Sequence, residues 1–457
     1  MKKALLWSMI PLRNEMSAEE ILARNRIGSN SGNVLFHTSM ARALTLSPDG
    51  IPDTCFFAHR DDLDRFAQEV NERYRCFVMP LANAFRANYM PRLRELTRFI
   101  RKLRIPCVVA GVGIQASSVE ELRRGFPFDE DVRSFMNAVL ERSAVVGVRG
   151  AFTAEYLRRL GYIENRDFAV IGCPSMYSRG DALPLIKPMP NDENARVCVN
   201  GKADSAPEIR AFTMEGCRLF PNYTYVAQNI EEMWLLRAGL PVLPTTRRLP
   251  PKYVPATRLN HLMRESRAVG YLNARSWISA MVSADFCFGC NIHGNVAAIL
   301  SGAPALVLAK DLRVAELAEY HEIPLVTLEE MRGGLRFEDA IARANWHSVS
   351  ANHPARFRKF VNFLNINNLE HIYVNGKSPS IAPYDLALAE TVDPEPLLPH
   401  LHLSRTERVA LRPVYEKARR YYADKVGGKL REKLPRGGWT KLPAPRALPA
   451  DGLSLQR

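Results

Sequence analysis

Short apolar runs rich in β-branched residues alternate with longer amphipathic stretches through most of the chain. Runs such as RCFVMPLA and IPCVVAGVG are almost continuously apolar, as strands buried on both faces of a sheet are. Strands that alternate with helices in this way are typical of parallel βαβ units. We predict twelve strands, at residues 2–10, 75–82, 105–113, 143–149, 167–174, 195–201, 222–229, 240–245, 268–274, 284–290, 304–310 and 323–328.

Residues 178–196, SRGDALPLIKPMPNDENAR, are rich in Pro, Gly and charge and lack apolar periodicity. Such a segment indicates a linker between domains. The pattern therefore predicts an α/β protein with two Rossmann-like doubly wound domains facing a cleft that is lined by loops at the carboxyl ends of the strands. We place the N-terminal domain at 1–185, the C-terminal domain at 186–375, and a basic, partly flexible extension at 376–457.

Composition adds information mainly at the end of the chain. With 457 residues, 47% of them hydrophobic, the sequence is long enough for two ordinary cores, which excludes a disordered or collagen-like chain. Residues 405–457 hold 14 Lys/Arg against five Asp/Glu, so most of the net charge of +14 lies in this Pro-rich tail. We expect no nucleic-acid partner. The tail is either a solvated terminus or a contact for anionic lipid.

Two features of the sequence bear on where the protein is located: its first residues and its cysteines. The start, MKKALLWSMIPLRNE, admits a secretory signal, but Pro11 and the following charges break the apolar run, which favours a first strand. The eight cysteines are scattered, mostly in apolar runs, as reduced thiols of a cytosolic protein are. No apolar stretch approaches the roughly 20 residues that span a bilayer. We therefore expect a cytoplasmic protein.

The segment ADFCFGCNIHGNVAAILSGAPALVLAKD (284–311) is the most informative for chemistry. A buried strand leads into Asn291 and His293, and a helix is predicted from about Val296 to Leu300. His293 would then point into the cleft near a helix N-terminus that favours anions. Gly294 would let the backbone approach a ligand closely. A histidine packed in a loop is an equally good explanation of the spacing alone.

Cys287 and Cys290 form a lone CxxC just before His293. A structural zinc site needs a second ligand pair, and none is visible. A redox pair should open a helix, whereas these cysteines flank an apolar strand. We therefore predict buried thiols, with no metal and no organic cofactor.

Three features of the first half are candidates for ligand contact. Gly111 and Gly113 follow a strand in VVAGVGIQASS, a fragment of a dinucleotide fingerprint that predicts a tight turn facing the cleft. Asn30 and Asn33 lie in GSNSGN before a helix, where a nest of backbone N–H groups for an anion and a simple N-cap turn are both open. Arg149 ends a strand and can clamp a carboxylate or phosphate, or form a surface ion pair.

These segments together resemble the polysaccharide pyruvyl transferase family. The matching features occur in order over roughly residues 28–325: GSNSGN, GVGIQ, VRGAFTAEYLRRLGY leading to VIGCPS, YVAQN, and IHGNVAAILSGAPALVLAKD. The resemblance implies a glycosyltransferase-B-like arrangement and transfer of a pyruvyl group from phosphoenolpyruvate to a saccharide as a ketal. It makes His293, titrating near neutrality, the acid/base candidate. The substrate-binding candidates are Asn30, Asn33, Gly111, Gly113, Arg149, Arg275, Asn291, Gly294, Asn295 and Lys310.

One departure from the family pattern concerns the donor. Many members carry an arginine two residues before the histidine, where this sequence has Asn291, which cannot neutralise a phosphate. Either another cation, such as Arg149, Arg275 or Lys310, fills that role, or this member has changed its donor or lost transfer activity. Two other functions stay open: glycosyl transfer from a nucleotide sugar, and a non-catalytic member that binds saccharide or a partner protein.

Overall fold

The computed structural model describes residues 2–57, 62–116, 118–240 and 252–400, with isolated positions between 404 and 420. Its strands are β1 (Lys3–Trp7), β2 (Asp53–Cys55), β3 (Tyr74–Pro80), β4 (Cys107–Ala110), β5 (Val146–Val148), β6 (Phe168–Val170), β7 (Val197–Asn200), β8 (Thr224–Ala227), β9 (Ala268–Gly270), β10 (Phe286–Gly289), β11 (Ala305–Ala309) and β12 (Leu325–Thr327).

The described helices lie between and after these strands. They are α1 (Ala18–Ala23), α2 (Gly32–Leu44), α3 (Leu63–Arg73), α4 (Met90–Ile100), α5 (Val119–Arg124), α6 (Asp129–Leu140), α7 (Ala151–Arg159), α8 (Pro207–Leu219), α9 (Ile230–Ala238), α10 (His261–Arg264), α11 (Ala274–Met281), α12 (Ile292–Ile299), α13 (Leu312–His321), α14 (Leu328–Arg332), α15 (Phe337–Arg343), α16 (Ser348–Ile366) and α17 (Pro383–Ala387). Short 3₁₀ helices cover Pro48–Gly50, Ala87–Tyr89, Pro174–Tyr177 and Val374–Gly376.

The first lobe is built on a parallel sheet with the order β2-β1-β3-β4. The parallel pair β5-β6 extends it, because Val112, just after β4, forms a bridge with Val148 of β5. From β1 the chain moves to β2 on one side and then returns to β3 on the other side of β1. The sheet therefore has a topological switch point between β1 and β3, where the loops separate to opposite faces and leave a crevice.

The second lobe is a six-stranded parallel sheet with the order β9-β8-β7-β10-β11-β12. This is the 3-2-1-4-5-6 order of the Rossmann fold, with its switch point between β7 and β10. The prediction of two doubly wound α/β lobes facing a cleft is confirmed. Strands of such sheets are buried on both faces, which is why they appear in the sequence as continuous apolar runs.

All eleven predicted strands that fall within the described residues contain an observed strand. The twelfth prediction, LPVLPT at 240–245, lies outside the described residues after Leu240. Strand β2 was not predicted, because Asp53–Cys55 is a three-residue strand at the edge of its sheet and is not an apolar run.

The chain crosses between the lobes a second time after α16. The side-chain oxygen of Asn367 accepts from the backbone N–H groups of Ala144 and Val145 at 3.0 and 3.1 Å, and the N–H of Ile372 donates to the carbonyl of Ala43. Residues 367–375, predicted within the C-terminal domain, therefore contact the first lobe. The chain then returns to the second lobe, where Leu397 forms an antiparallel bridge with Gly270, the last residue of β9.

The basic tail, for which membrane contact was one expectation, lies almost wholly outside the described residues. In the part of the chain that is described, no helix combines the length and apolar character needed to cross a bilayer.

Candidate active site

A cavity of about 780 Å³ lies between the two lobes, at the carboxyl ends of both sets of strands. Its walls come from the switch point of each sheet, where Ser8 follows β1 and Asn83 follows β3, and where Lys202 follows β7 and His293 follows β10. The cations that line it are Arg86, Arg149, Lys202, Lys310 and Arg313.

His293 lies in the first turn of α12 and is 8% exposed. The helix begins at Ile292, four residues earlier than the predicted start at Val296, with Asn291 in extended conformation as its N-cap. The Nε2 atom lies 3.6 Å from Sγ of Cys173. The other ring edge packs on α2, since a Cβ added to Gly32 would lie 2.4 Å from Nδ1. The ring is thus held between the lobes, in the cleft as predicted.

The electrostatic setting of His293 differs from the expectation that it titrates near neutrality. Burial, and then the positive charges of Arg149 and Arg313, lower its pKa to about 3. Without a bound anion the imidazole is therefore neutral throughout the physiological range. Burial likewise lowers the pKa of His37, which also lines the cavity, to about 3.

Arg149 is fully buried where the cavity meets the end of β5. None of its three guanidinium nitrogens has a hydrogen-bond partner among the described residues. Glu316, which interacts with Arg149 electrostatically but makes no hydrogen bond to it, accepts from the backbone N–H of Thr153 at 2.9 Å and from its hydroxyl. Burial lowers the pKa of Arg149, as does Arg313. An unpaired buried cation is costly, so this position favours an anion supplied from outside.

Lys310 and Asn291 form a second polar group on the wall of the second lobe. The Nζ atom of Lys310 lies 3.4 Å from Oδ1 of Asn291, whose amide donates to the carbonyl of Gly201 at 2.7 Å. Burial, and to a lesser degree Lys202 and Arg313, lower the pKa of Lys310 to about 8. A cation thus lies directly beside the asparagine that replaces the usual arginine.

Asn30 and Asn33 line the cavity, but their segment offers no free anion nest. Oδ1 of Asn30 accepts from the N–H of Gly32 at 2.9 Å, and the N–H groups of Asn30, Ser31 and Asn33 donate to backbone carbonyls. The side chain of Asn33 donates to the carbonyls of Ile27 and Gly28. The segment is therefore a turn stabilised by the side chain of Asn30, and Ser31, the N-cap residue of α2, makes no side-chain capping bond.

Arg275 was wrongly predicted as a cleft residue. Its guanidinium forms an ion pair with Asp393 at 2.6 Å and donates to the carbonyls of Leu388 and Thr391. It therefore fastens the C-terminal segment to α11. Local sequence contains no sign of this contact, because the partners of Arg275 lie more than 110 residues away.

The predicted glycines and Asn295 pack behind the cavity wall and do not line the cavity. A Cβ on Gly111, whose φ is +72°, would clash with Pro174, and one on Gly113 would contact the carbonyl of Ala82 at 3.3 Å. Gly294 makes room for the amides of Asn200 and Gln228, each 2.7 Å from its missing Cβ. Asn295 is fully buried and donates to the carbonyl of Gly289. The four residues are used in packing, and ligand contact at them stays a prediction.

Several polar residues of the cavity wall were not predicted, among them His37, Lys202, Gln228 and Arg313. Lys202 and Arg313 follow predicted strands within three residues, and Gln228 lies at the end of one, a position that could have been used as a signal. Nε2 of Gln228 is buried with no partner among the described residues. His37 lies on α2 and had no local signal.

The CxxC cysteines are buried and free. Sγ of Cys287 lies 3.7 Å from Nδ2 of Asn200, and Sγ of Cys290 lies 3.6 Å from the hydroxyl of Ser205. Burial raises the pKa of Cys287 well above its ordinary value. No group of three His, Cys, Asp or Glu side chains within the described ranges is arranged to hold a metal ion.

Comparison with known proteins gives one family. The model for polysaccharide pyruvyl transferase matches residues 83–311, half of the chain. No curated protein matches the chain.

Several solved structures are similar at low identity. An uncharacterized protein of Klebsiella pneumoniae shares 11% identity over 72% of this chain and 93% of that chain, with a TM-score of 0.37. Anabaena HepE in complex with UDP shares 13% over 80% and 98% (TM-score 0.39). The UDP-GlcNAc 2-epimerase of Methanocaldococcus jannaschii shares 12% over 80% and 99% (TM-score 0.41).

Proposed function

The chain belongs to the polysaccharide pyruvyl transferase family, and from this we propose that it transfers the pyruvyl group of phosphoenolpyruvate to a saccharide as a ketal. The observation that carries the proposal is the buried guanidinium of Arg149, which has no partner among the described residues and lies in a cleft with His293. Phosphoenolpyruvate carries a phosphate and a carboxylate. A cleft with five cations suits such a donor, because each anionic group can be paired as it leaves water.

The reaction defines what the cleft must do. The methylene carbon of phosphoenolpyruvate gains a proton and becomes a methyl group, while one sugar hydroxyl bonds to the adjacent carbon. A second hydroxyl then displaces the phosphate from that carbon, which closes the ketal. Two hydroxyl protons are released; one balances the proton on the methyl group and the other leaves on inorganic phosphate. Cations must therefore hold the phosphate, and a proton carrier must lie between the donor and the sugar.

We assign the proton transfer to His293 and the donor charges to Arg149, Lys310 and Arg313. Burial, and then Arg149 and Arg313, lower the pKa of His293 to about 3, and these two cations are groups that a bound anion would neutralise. Donor binding should therefore raise that pKa and give the ring a proton for the methylene carbon. Once the ring has protonated the methylene carbon it is neutral, and it can then accept the proton of the attacking hydroxyl.

The proposal is tested by thermal-shift titration and by phosphate release. Phosphoenolpyruvate should raise the melting temperature of the full chain, and UDP should not. With an acceptor chosen from a broad saccharide panel, phosphate release should match the formation of a product that is heavier by a pyruvyl ketal. No shift and no product with any acceptor would refute the proposal. Stabilisation by UDP with glycosyl transfer would establish the alternative reaction.

We also propose that this reaction occurs in the cytoplasm during synthesis of a cell-surface glycan. All eight cysteines lie in described positions, and no two of them form a disulfide. A reducing compartment suits such a chain.

Donor affinity should depend on pH through Lys310. Its pKa is lowered to about 8, so the cation is lost as pH rises through that value, and the dissociation constant of phosphoenolpyruvate should then rise, approaching about tenfold per pH unit. Calorimetric titration between pH 7 and 9.5 measures this. Lys310→Arg keeps its charge and should flatten the profile; an equal slope in that variant would assign the effect to another group.

Gly32→Ala should reduce turnover by displacing the ring of His293. The new Cβ would lie 2.4 Å from Nδ1 and 2.8 Å from Cγ of the ring, so the imidazole must shift. A misplaced proton carrier costs about 10- to 100-fold in kcat. The matched control is Gly333→Ala, whose Cβ would meet only carbonyl oxygens at 3.4 Å or more. Equal kcat in both variants would show that the ring position is unimportant.

A further inference from the structure

The thiol of Cys173 lies directly behind the ring of His293. It follows β6 in the VIGCPS segment and is fully buried. Its Sγ lies 3.6 Å from Nε2 of His293 and 2.8 Å from the hydroxyl oxygen of Ser175. The two residues are 120 positions apart and belong to different lobes, so only the assembled cleft brings them together.

The protonation states of the pair follow from burial. Burial raises the pKa of the Cys173 thiol, although Arg149 and Ser175 act in the opposite direction, and it lowers the pKa of His293 to about 3. At neutral pH the sulfur therefore keeps its hydrogen and the imidazole carries one.

The neighbours of the sulfur decide where its hydrogen points. Either group of the Ser175 hydroxyl–Cys173 thiol contact could donate, but the hydroxyl is the stronger donor and has no other partner among the described residues, so we assign it the donor role. The backbone N–H of Ser175 also interacts with Sγ. The thiol hydrogen is then left with Nε2 of His293 as its acceptor. A ring that accepts at Nε2 carries its own hydrogen on Nδ1, the nitrogen beside Gly32, for which no described residue provides a hydrogen bond.

We propose that Cys173 is a positioning residue that supports both protonation states of His293, donating to Nε2 of the neutral ring and accepting from Nε2 of the imidazolium. A thiol can do both, because sulfur is a weak donor and a weak acceptor. Between these two states the ring gains or loses the proton on Nε2, while Nδ1 keeps its hydrogen. The kinetic part of this inference rests on the proposed function, whereas the tautomer does not.

The tautomer can be measured on the full-length protein without substrate. ¹⁵N NMR of histidine-labelled protein, assigned with His293→Gln, should show the Nδ1–H form in the wild type. Cys173→Ser keeps a donor and acceptor and should keep that form, whereas Cys173→Ala should lose the preference for it. An Nε2–H ring in the wild type, or an unchanged ring in Cys173→Ala, would overturn the inference, whatever the reaction proves to be.

Kinetics separate a positioning role from a packing role. Cys173→Ala should lower kcat by about tenfold or more and leave the donor KM within about twofold, and Cys173→Ser should recover most of the loss. Cys107→Ala is the matched control, a fully buried thiol in β4 outside the cleft. If both alanine variants lower kcat equally, Cys173 acts only through packing.

Discussion

Replacing Arg149 with methionine should make the protein more stable and at the same time remove its affinity for the donor. The side chain is fully buried and its three nitrogens have no hydrogen-bond partner among the described residues, so the folded state carries a buried charge that only the more distant carboxylates of Glu316 and Asp311 offset. Removing it while keeping the volume should raise the free energy of unfolding by about 1–3 kcal/mol. Loss of a buried charge contact should weaken phosphoenolpyruvate binding by about 2–5 kcal/mol, or roughly 30-fold and more.

Arg275→Met is the control for this experiment, because it is the same substitution at an arginine that is paired. Arg275 contacts Asp393, Leu388 and Thr391 outside the cleft. Its replacement should lower the free energy of unfolding and leave donor affinity unchanged. Denaturant unfolding and calorimetric titration give both quantities. Destabilisation by Arg149→Met, or an unchanged dissociation constant, would refute Arg149 as the donor-binding cation.

His293→Gln should lower kcat by about 10²- to 10⁴-fold with little change in donor binding. Glutamine approximates the volume of the ring and keeps hydrogen bonding, but it cannot carry a proton at neutral pH. Phosphoenolpyruvate should therefore still raise the melting temperature, since Arg149, Lys310 and Arg313 remain. Steady-state phosphate release and thermal shift measure the two effects separately.

His371→Gln is the matched control for the ring. His371 bonds to Asn365 and to the N–H of Tyr373, outside the cavity between the lobes. Its replacement should leave kcat unchanged. If His293→Gln kept wild-type kcat, another group would have to carry the proton, and the role of His293 would be limited to packing.

The sequence by itself determined the architecture. Parallel strands covered on both faces must be apolar along their whole length, so β3, β4, β10 and β11 are visible as continuous runs. It also pointed to His293, Arg149 and Lys310, because residues at the carboxyl ends of such strands converge on one edge of the sheet. Strand β2 escaped, since three partly polar residues at an edge have no period to detect.

Only the tertiary structure decided which of the candidates are free to act. Arg149 and Arg275 are both arginines near the start of a helix, yet one is unpaired in the cleft and the other is held by Asp393. Their partners are fixed by contacts over long sequence separations, on which local spacing carries no information. The same holds for the low pKa of His293 and for its contact with Cys173, because both arise when two separately folded sheets close around one space.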